Sequence, residues 1–352
     1  MPSLSTASQQ VKPNQAGPYT VLADADGDRP AWLAARRGII TAGEVPYILG
    51  MYGAGRRLRL WYDKAGWTER ESADDFEGAQ MGHRLEPLNA ELFAERTGRC
   101  VTRVQKLLRS TRYPWLGATL DYAQLASSGA LPGFQRAFLG DASDGRAGTQ
   151  PPVPLELKSS GAKHNWPESE SDVRYPDIEF VGEPSLRFQA QLQAQLLVYG
   201  ADWGSLSALL GSPYMHHRYR DFPLHPNLCD LILTRTQAFA ESLTRGVPPE
   251  PDDCPLTLST IKEAALRRLQ AATVRRLPVE AVAWSSELGR ARAEQRDAER
   301  RVRLYESALL TAMGGAERAR LPDGSTYTLQ RSQRRGYSVA PAIVVSLKKE
   351  EP

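Results

Sequence analysis

The chain has 352 residues, 41% hydrophobic and 24% charged, an ordinary globular share that allows one large domain with appendages or two domains. A formal net charge of +3 excludes a strongly basic whole-protein field, and no apolar run approaches the ~20 residues of a membrane helix, so no membrane partner is expected. Three scattered cysteines, Cys100, Cys229 and Cys254, exclude a disulfide framework, a zinc knuckle and a four-thiolate iron–sulfur cluster.

Residues 1–27 begin Ser/Gln/Pro-rich and read as a mobile N-terminal arm. They lack the basic-then-apolar layout of a secretory signal, so a cytoplasmic location is expected. A main domain follows over residues 28–247. Ala31 to Gly50 predicts a helix, a break and a second helix, with Thr41 as N-cap and Glu44 at the third position of a capping box. Arg56 to Trp67 has mixed helical character. Leu85, Leu88, Leu92 and Phe93 recur at helical spacing between Gly78 and Gly98, and this helix carries Glu86. Leu116 to Tyr122 and Val153 to Leu157 are short apolar runs bounded by turn residues and predict strands, separated by a long loop from Ser127 to Pro152. Leu186 to Leu197 predicts a helix with a run of glutamines, and Ser205 to Leu210 a strand.

Beyond Val247, prolines 248, 251 and 255 mark a linker into a helical C-terminal extension, residues 248–352. Its expected parts are helices Leu258 to Arg276 and Val279 to Met313, a late hairpin around Pro322-Asp323-Gly324, and a basic tail. The second helix is thinly apolar, with Trp284, Leu288, Val302 and Tyr305 on its sparse face.

The chemistry centres on Leu155-Glu156-Leu157-Lys158. Strand alternation sends Glu156 and Lys158 to the same side. An isolated E-x-K is most often an ion pair on a solvated face. Here only eight of the 44 basic residues are lysine, and the strand runs into Ser159-Ser160-Gly161, a loop that substrate could approach. Asp121 closes the Leu116 to Leu120 run; it either caps a turn or joins Glu156 in offering oxygens to a divalent cation. Glu86 taken alone reads as an exposed helix residue. Gln189, Gln191, Gln193 and Gln195 alternate, and glutamines two apart cannot share one helix face. Gln191 is the candidate for the site, and most of the others are expected on the surface. The five histidines show no HExxH spacing, so a metal here would bind carboxylate oxygens, favouring Mg²⁺ or Mn²⁺, one or two ions.

The order helix-Glu, strand-Asp, strand-ExK, helix-Gln resembles the PD-(D/E)XK nucleases, specifically the lambda exonuclease and YqaJ viral recombinase family. Trp32 to Glu44 resembles that family's opening W-x3-R-x-G-x-I-T-A-S-E, Gly82 to Gly98 its G-x3-E-P helix, Ala118-Thr119-Leu120-Asp121 its A-T-P-D, and Gln191-Leu192-Gln193 its Q-x-Q helix. The likeness runs over residues 30–225. It implies an α/β (α+β) restriction-endonuclease-like core, a mixed central sheet flanked by helices, with 28–247 as the nuclease domain. It further implies that Asp121, Glu156 and the Leu157 carbonyl hold the metal with Glu86, that Lys158 orients or deprotonates water, and that Gln191 positions either.

The implied activity is exonucleolytic hydrolysis of linear double-stranded DNA, 5′ to 3′, in phage-type recombination, which puts the protein in a bacterial host cytoplasm if phage-encoded. The implied partners are double-stranded DNA ends, a single-strand annealing protein and further copies of the chain in a ring. Arg36 matches the family's contact to the 5′-terminal phosphate, whereas Gly43 stands where its serine partner is usual. Arg37, Lys163 and Trp166 join these as expected DNA contacts, with Arg56, Arg57, Arg59 and His164 as further candidates. Leu120 and Tyr122 also depart from the family's flanks of the aspartate, and Asp144 in the intervening loop is the alternative second acid. A RecB-like nuclease and a nuclease-inactive DNA-binding or assembly protein are the competing readings.

Overall fold

In the computed structural model, described over residues 17–69, 77–125, 152–161, 184–211, 215–270 and 273–331, the chain divides into two units at Arg268/Leu269. The first unit is built on one mixed sheet with flanking helices, the architecture expected above. Strand β1 (Tyr19–Asp24) leads into α1 (Arg29–Arg37), the two-residue β2 (Ile40–Thr41), a 3₁₀ turn (Ala42–Glu44), the short α2 (Val45–Ile48) and α3 (Arg56–Lys64). Helix α4 (Glu77–Thr97) precedes β3 (Cys100–Ser110), β4 (Leu116–Leu125) and β5 (Val153–Ser160). Helix α5 (Leu186–Tyr199) crosses to β6 (Trp203–Leu210), then β7 (His216–Pro223), α6 (Pro226–Arg245) and α7 (Pro255–Arg267) complete the unit.

The strand order is β1-β3-β4-β5-β6-β7, with β2 pairing in parallel against the start of β4. Pairs β1–β3, β3–β4, β4–β5 and β6–β7 are antiparallel, and β5–β6 is parallel. A parallel pair needs a crossover, and α5 supplies it. Gly200 ends α5 at φ 76° in the left-handed region, which returns the chain to β6 within three residues.

Helix α5 is buried almost all round, so its sequence lacks a clean amphipathic stripe. Ala190, Ala194 and Val198 join Leu116, Leu120 and Trp61 in the main core, while Leu192 and Leu196 pack with Phe188, Trp203 and Leu206. Leu155 and Leu157 pack with Ala90 and Phe93 of α4, whereas Val153 joins the α5 side.

Three expectations change. Tyr19–Asp24 is a paired strand, so the expected arm of residues 1–27 is not wholly an arm; residues 1–16 lie outside the described residues. Strands β3 and β7 and helix α6 were not anticipated. Helix α7 packs on α3, with Glu69 N–H donating to Glu263 at 2.8 Å, so the first unit continues past residue 247 to Arg268.

The second unit holds α8 (Ala281–Met313) and the hairpin β8 (Arg318–Arg320) and β9 (Thr326–Thr328), at the places expected. No residue of α8 is buried; Trp284 is 63% exposed and Tyr305 64%.

Candidate active site

The site grows from a fork in the sheet. β4 and β5 pair through Tyr122–Leu155, Ala123–Pro154 and Gln124–Val153, and the ladder stops there. The next step of that register sets Asp121 opposite Glu156. β5 meanwhile stays paired with β6 out to Ser160. The Leu157 N–H, beyond the fork, donates to Asp121 Oδ2 at 3.3 Å. Two carboxylates thus face each other where two strands separate.

Glu156 is 1% exposed, and a buried carboxylate must be matched by donors. Lys158 and Gln191 both donate to its Oε1, the latter at 2.6 Å, and Gln195 donates to Oε2. Lys158 Nζ also donates to Gln191 Oε1 at 3.0 Å. The expected E-x-K pair is therefore buried beneath α5 rather than solvated. Gln191 faces it, but of the other glutamines, most of them expected on the surface, Gln193 and Gln195 are buried and Gln189 is partly buried. Gln195, one turn on, shares the face of Gln191. Gln193 is buried on another face, donating to the Pro223 carbonyl at 2.9 Å and accepting from His225 N–H at 2.8 Å. The i, i+4 spacing of Gln191 and Gln195 was the available signal.

The electrostatics follow from burial. Asp121 is pushed well above the ordinary carboxylate range by desolvation and then by the Glu156 charge. Burial pulls Lys158 downward, but Glu156 and Asp121 outweigh it and leave the ammonium above its usual value. The two carboxylate neighbours thus favour the charged form of that lysine.

Glu86 stands on α4 just before Pro87, whose missing N–H breaks the helix ladder. Its Oε1 lies 2.9 Å from His83 Nδ1, and Gln105 Nε2 donates to its Oε2 at 3.4 Å. Burial raises its pKa and so makes it a weaker acid, with the His83 bond opposing. Gln105 occupies the bulge of β3 at φ 48°, the single non-glycine residue at positive φ among those described. Asn89, one turn after Glu86, is fully buried and donates to the carbonyls of Lys158 (3.1 Å) and Ser207 (3.2 Å). That pair of bonds ties α4 to β5 and β6.

Of the expected DNA contacts, Gly43 reaches the site: a Cβ there would lie 4.0 Å from Gln191 Nε2. Arg36 packs its guanidinium 4.5 Å from the Trp32 ring centre, and its carbonyl accepts from Lys64 Nζ at 2.9 Å. Arg37 is exposed at the end of α1. Arg59 is committed elsewhere, pairing with Asp63 at 3.1 Å and with Glu263 of α7. Lys163, His164 and Trp166 lie outside the described residues, as does Asp144.

Among the described residues no group of three or more His, Cys, Asp or Glu side chains stands together as a metal centre. The donor chemistry nevertheless fits a hard cation. Asp121 and Glu156 are opposed carboxyl groups at the fork, and Asp121 takes a long hydrogen bond from the Leu157 N–H. Every candidate donor is an oxygen.

Residues 31–202 match the family model described as the YqaJ-like viral recombinase domain. A curated relative, the uncharacterized protein YqaJ of Bacillus subtilis (strain 168), is 33% identical over 93 residues; the match spans 26% of this chain and 29% of that protein's length. Solved structures similar to the chain include two exonucleases. The alkaline exonuclease LHK-Exo from Laribacter hongkongensis shares 20% identity, with 67% of this chain and 99% of that one covered, at a TM-score of 0.41. A phage related exonuclease from Haemophilus somnus 129PT shares 11%, with 59% and 96% covered, at a TM-score of 0.36.

Proposed function

We propose, from the match of residues 31–202 to the YqaJ-like viral recombinase domain, that the chain is a divalent-metal-dependent exonuclease hydrolysing linear double-stranded DNA. The observation that carries the reading is the fork itself: Asp121 and Glu156 facing each other, with Lys158 and Gln191 closed on the same Glu156 oxygen.

In this reading Asp121, Glu156 and the Leu157 carbonyl, with Glu86, hold Mg²⁺ or Mn²⁺. The bound cation supplies counter-charge to the phosphate and acidity to water at neutral pH. Lys158, kept cationic by its two carboxylate neighbours, orients the attacking water and offsets charge on the phosphate. Gln191 holds Lys158 and Glu156 in register, and Gln195 fixes the second Glu156 oxygen. The buried flanks exclude bulk water, which strengthens each of these interactions. Arg36, Arg37, Gly43, Lys163 and Trp166 are the proposed DNA contacts. With Gly43 in place of a hydroxyl donor, the preference for a 5′-phosphate is weak. Cleavage runs 5′ to 3′ in phage-type recombination, beside a single-strand annealing protein and in a homo-oligomer.

The test is digestion of end-labelled linear duplex, with and without a 5′-phosphate, beside closed circular DNA in Mg²⁺. Nucleotide release from linear DNA that disappears in Glu156→Ala and Lys158→Ala supports the reading. Nicking of circles moves it to an endonuclease of RecB type. Retained binding without any cleavage makes it a DNA-binding or assembly protein.

A further inference from the structure

Helix α8 buries none of its 33 residues, over a length of about 50 Å by helix rise. From Ala281 to Ala312, alternating steps of three and four residues land on an apolar side chain every time except at Gln295. The large ones are Trp284, Leu288, Val302, Tyr305 and Leu309, and the first four of these are exposed. Val282, Leu304 and Leu310 lie off this line. So do all eleven charged residues of the helix. A 3.5-residue repeat held over more than four heptads, with its charges kept to the flanks, is the seam of a two-stranded coil. Among the described residues the second unit holds no other helix to cover it.

The flanking charges say what does. With two copies of α8 side by side in parallel, Glu287 meets Arg292 and Arg301 meets Glu306, but Glu294 meets Glu299 on both sides. Turned antiparallel, Arg292 faces Glu299 and Glu294 faces Arg301, each twice by symmetry, and no like charges oppose. The core layers agree. Leu288 then lies opposite Tyr305, Trp284 opposite Leu309 and Ala291 opposite Val302, instead of each bulky ring stacking on its own copy. Within one helix, Glu294 is 3.8 Å from Arg290, and Glu299 accepts from Gln295 at 3.0 Å. Such exposed contacts contribute little and yield readily to a second copy.

We propose that α8 pairs with α8 of a second copy of this chain as an antiparallel two-stranded coil, its bare apolar line being the interface. This pairing is independent of the nuclease chemistry.

The test uses the full chain and measures particle mass by sedimentation equilibrium over a concentration series. Leu288→Glu/Val302→Glu is expected to halve the mass, whatever association the first unit adds. Arg292→Glu/Arg301→Glu and Glu294→Arg/Glu299→Arg should each weaken pairing at least about tenfold. An equimolar mixture of those two proteins should restore it, because the reversed charges then meet; misfolded variants give no such rescue. Under oxidation, Leu288→Cys mixed with Tyr305→Cys should give a 288–305 disulfide, identified by the mass of the linked peptides. A 288–288 disulfide, or unweakened pairing in Glu294→Arg/Glu299→Arg, overturns the antiparallel arrangement. An unchanged mass in Leu288→Glu/Val302→Glu overturns the proposal altogether, and a loss of duplex affinity in that variant would then assign the face to DNA.

Discussion

Gln195 Nε2 donates to Glu156 Oε2, the oxygen that Lys158 and Gln191 leave to it, so both oxygens of this carboxylate are engaged. A buried carboxylate oriented at both oxygens presents a fixed edge to whatever occupies the fork. Replacing Gln195 by Leu keeps the volume and frees Oε2. The expected result is a loss of about 10- to 100-fold in kcat, the usual cost of removing a partner that orients a ligand. Gln193→Leu should instead lower the melting temperature and leave the rate per folded molecule unchanged, since Gln193 binds Pro223 and His225. Equal kinetic losses in the two variants would refute the assignment.

Asp121 holds its proton more tightly in the folded chain than in the unfolded one, because of burial and then the Glu156 charge. With the folded value raised, the stabilising contribution is complete below the ordinary carboxylate range and disappears as pH rises through the folded value. Asp121→Asn has no such proton to lose. In metal-free buffer at pH 7 it should melt higher than the parent, by about 2–4 °C for each kcal/mol relieved, and be inactive. Thermal melts in EDTA check this, and a lower melting temperature for the variant counts against it.

His217 is buried at 4% exposure, accepts or shares a hydrogen bond with Ser207 Oγ at 2.7 Å, and is pulled down to about 4 by burial and by Arg96 and Arg218. A depressed folded value means that stability is present above pH ~6.5, the unfolded value, and is lost as pH falls through about 4. Across that window the loss is at most about 3 kcal/mol. Urea titrations from pH 7 to pH 4 should show it, and His217→Gln should flatten the curve. A variant curve as steep as the parent's would place the acid sensitivity elsewhere.

Lys64 and Glu44 form a buried pair at 2.8 Å, and Lys64 also donates to the carbonyls of Arg36 and Ile39. Glu44 in turn takes the Thr41 N–H at 2.8 Å, the capping geometry anticipated from sequence. Removing one member strands a buried charge. Lys64→Met should cost about 3–5 kcal/mol, and the double variant Lys64→Met/Glu44→Gln should recover much of it. A double-mutant cycle by chemical denaturation reads the difference, and additive losses would show that the charges are not coupled.

What the sequence by itself determined was the set of chemical groups and their local spacing. Alternation put Glu156 and Lys158 on one side of β5, the apolar run before Asp121 made a strand, and the helical spacing of Leu85, Leu88, Leu92 and Phe93 marked α4. It also marked Thr41–Glu44 and the Pro322-Asp323-Gly324 turn, because caps and turns depend on neighbouring residues. Tertiary structure decided what each group faces. Strand β7, His216–Pro223, is nearly all polar, and it is a strand because Asp221 meets Arg99 at 2.7 Å and His217 meets Ser207. β3 hides its pattern behind an exposed polar face and a bulge at Gln105. In the same way Gln195 reads as a surface glutamine until α5 is sunk into the sheet. Leu155-Glu156-Leu157-Lys158 reads as an ordinary ion pair until β4 brings Asp121 to the fork. Burial is a property of several distant segments at once, and it is burial that converts these groups from solvated side chains into a site.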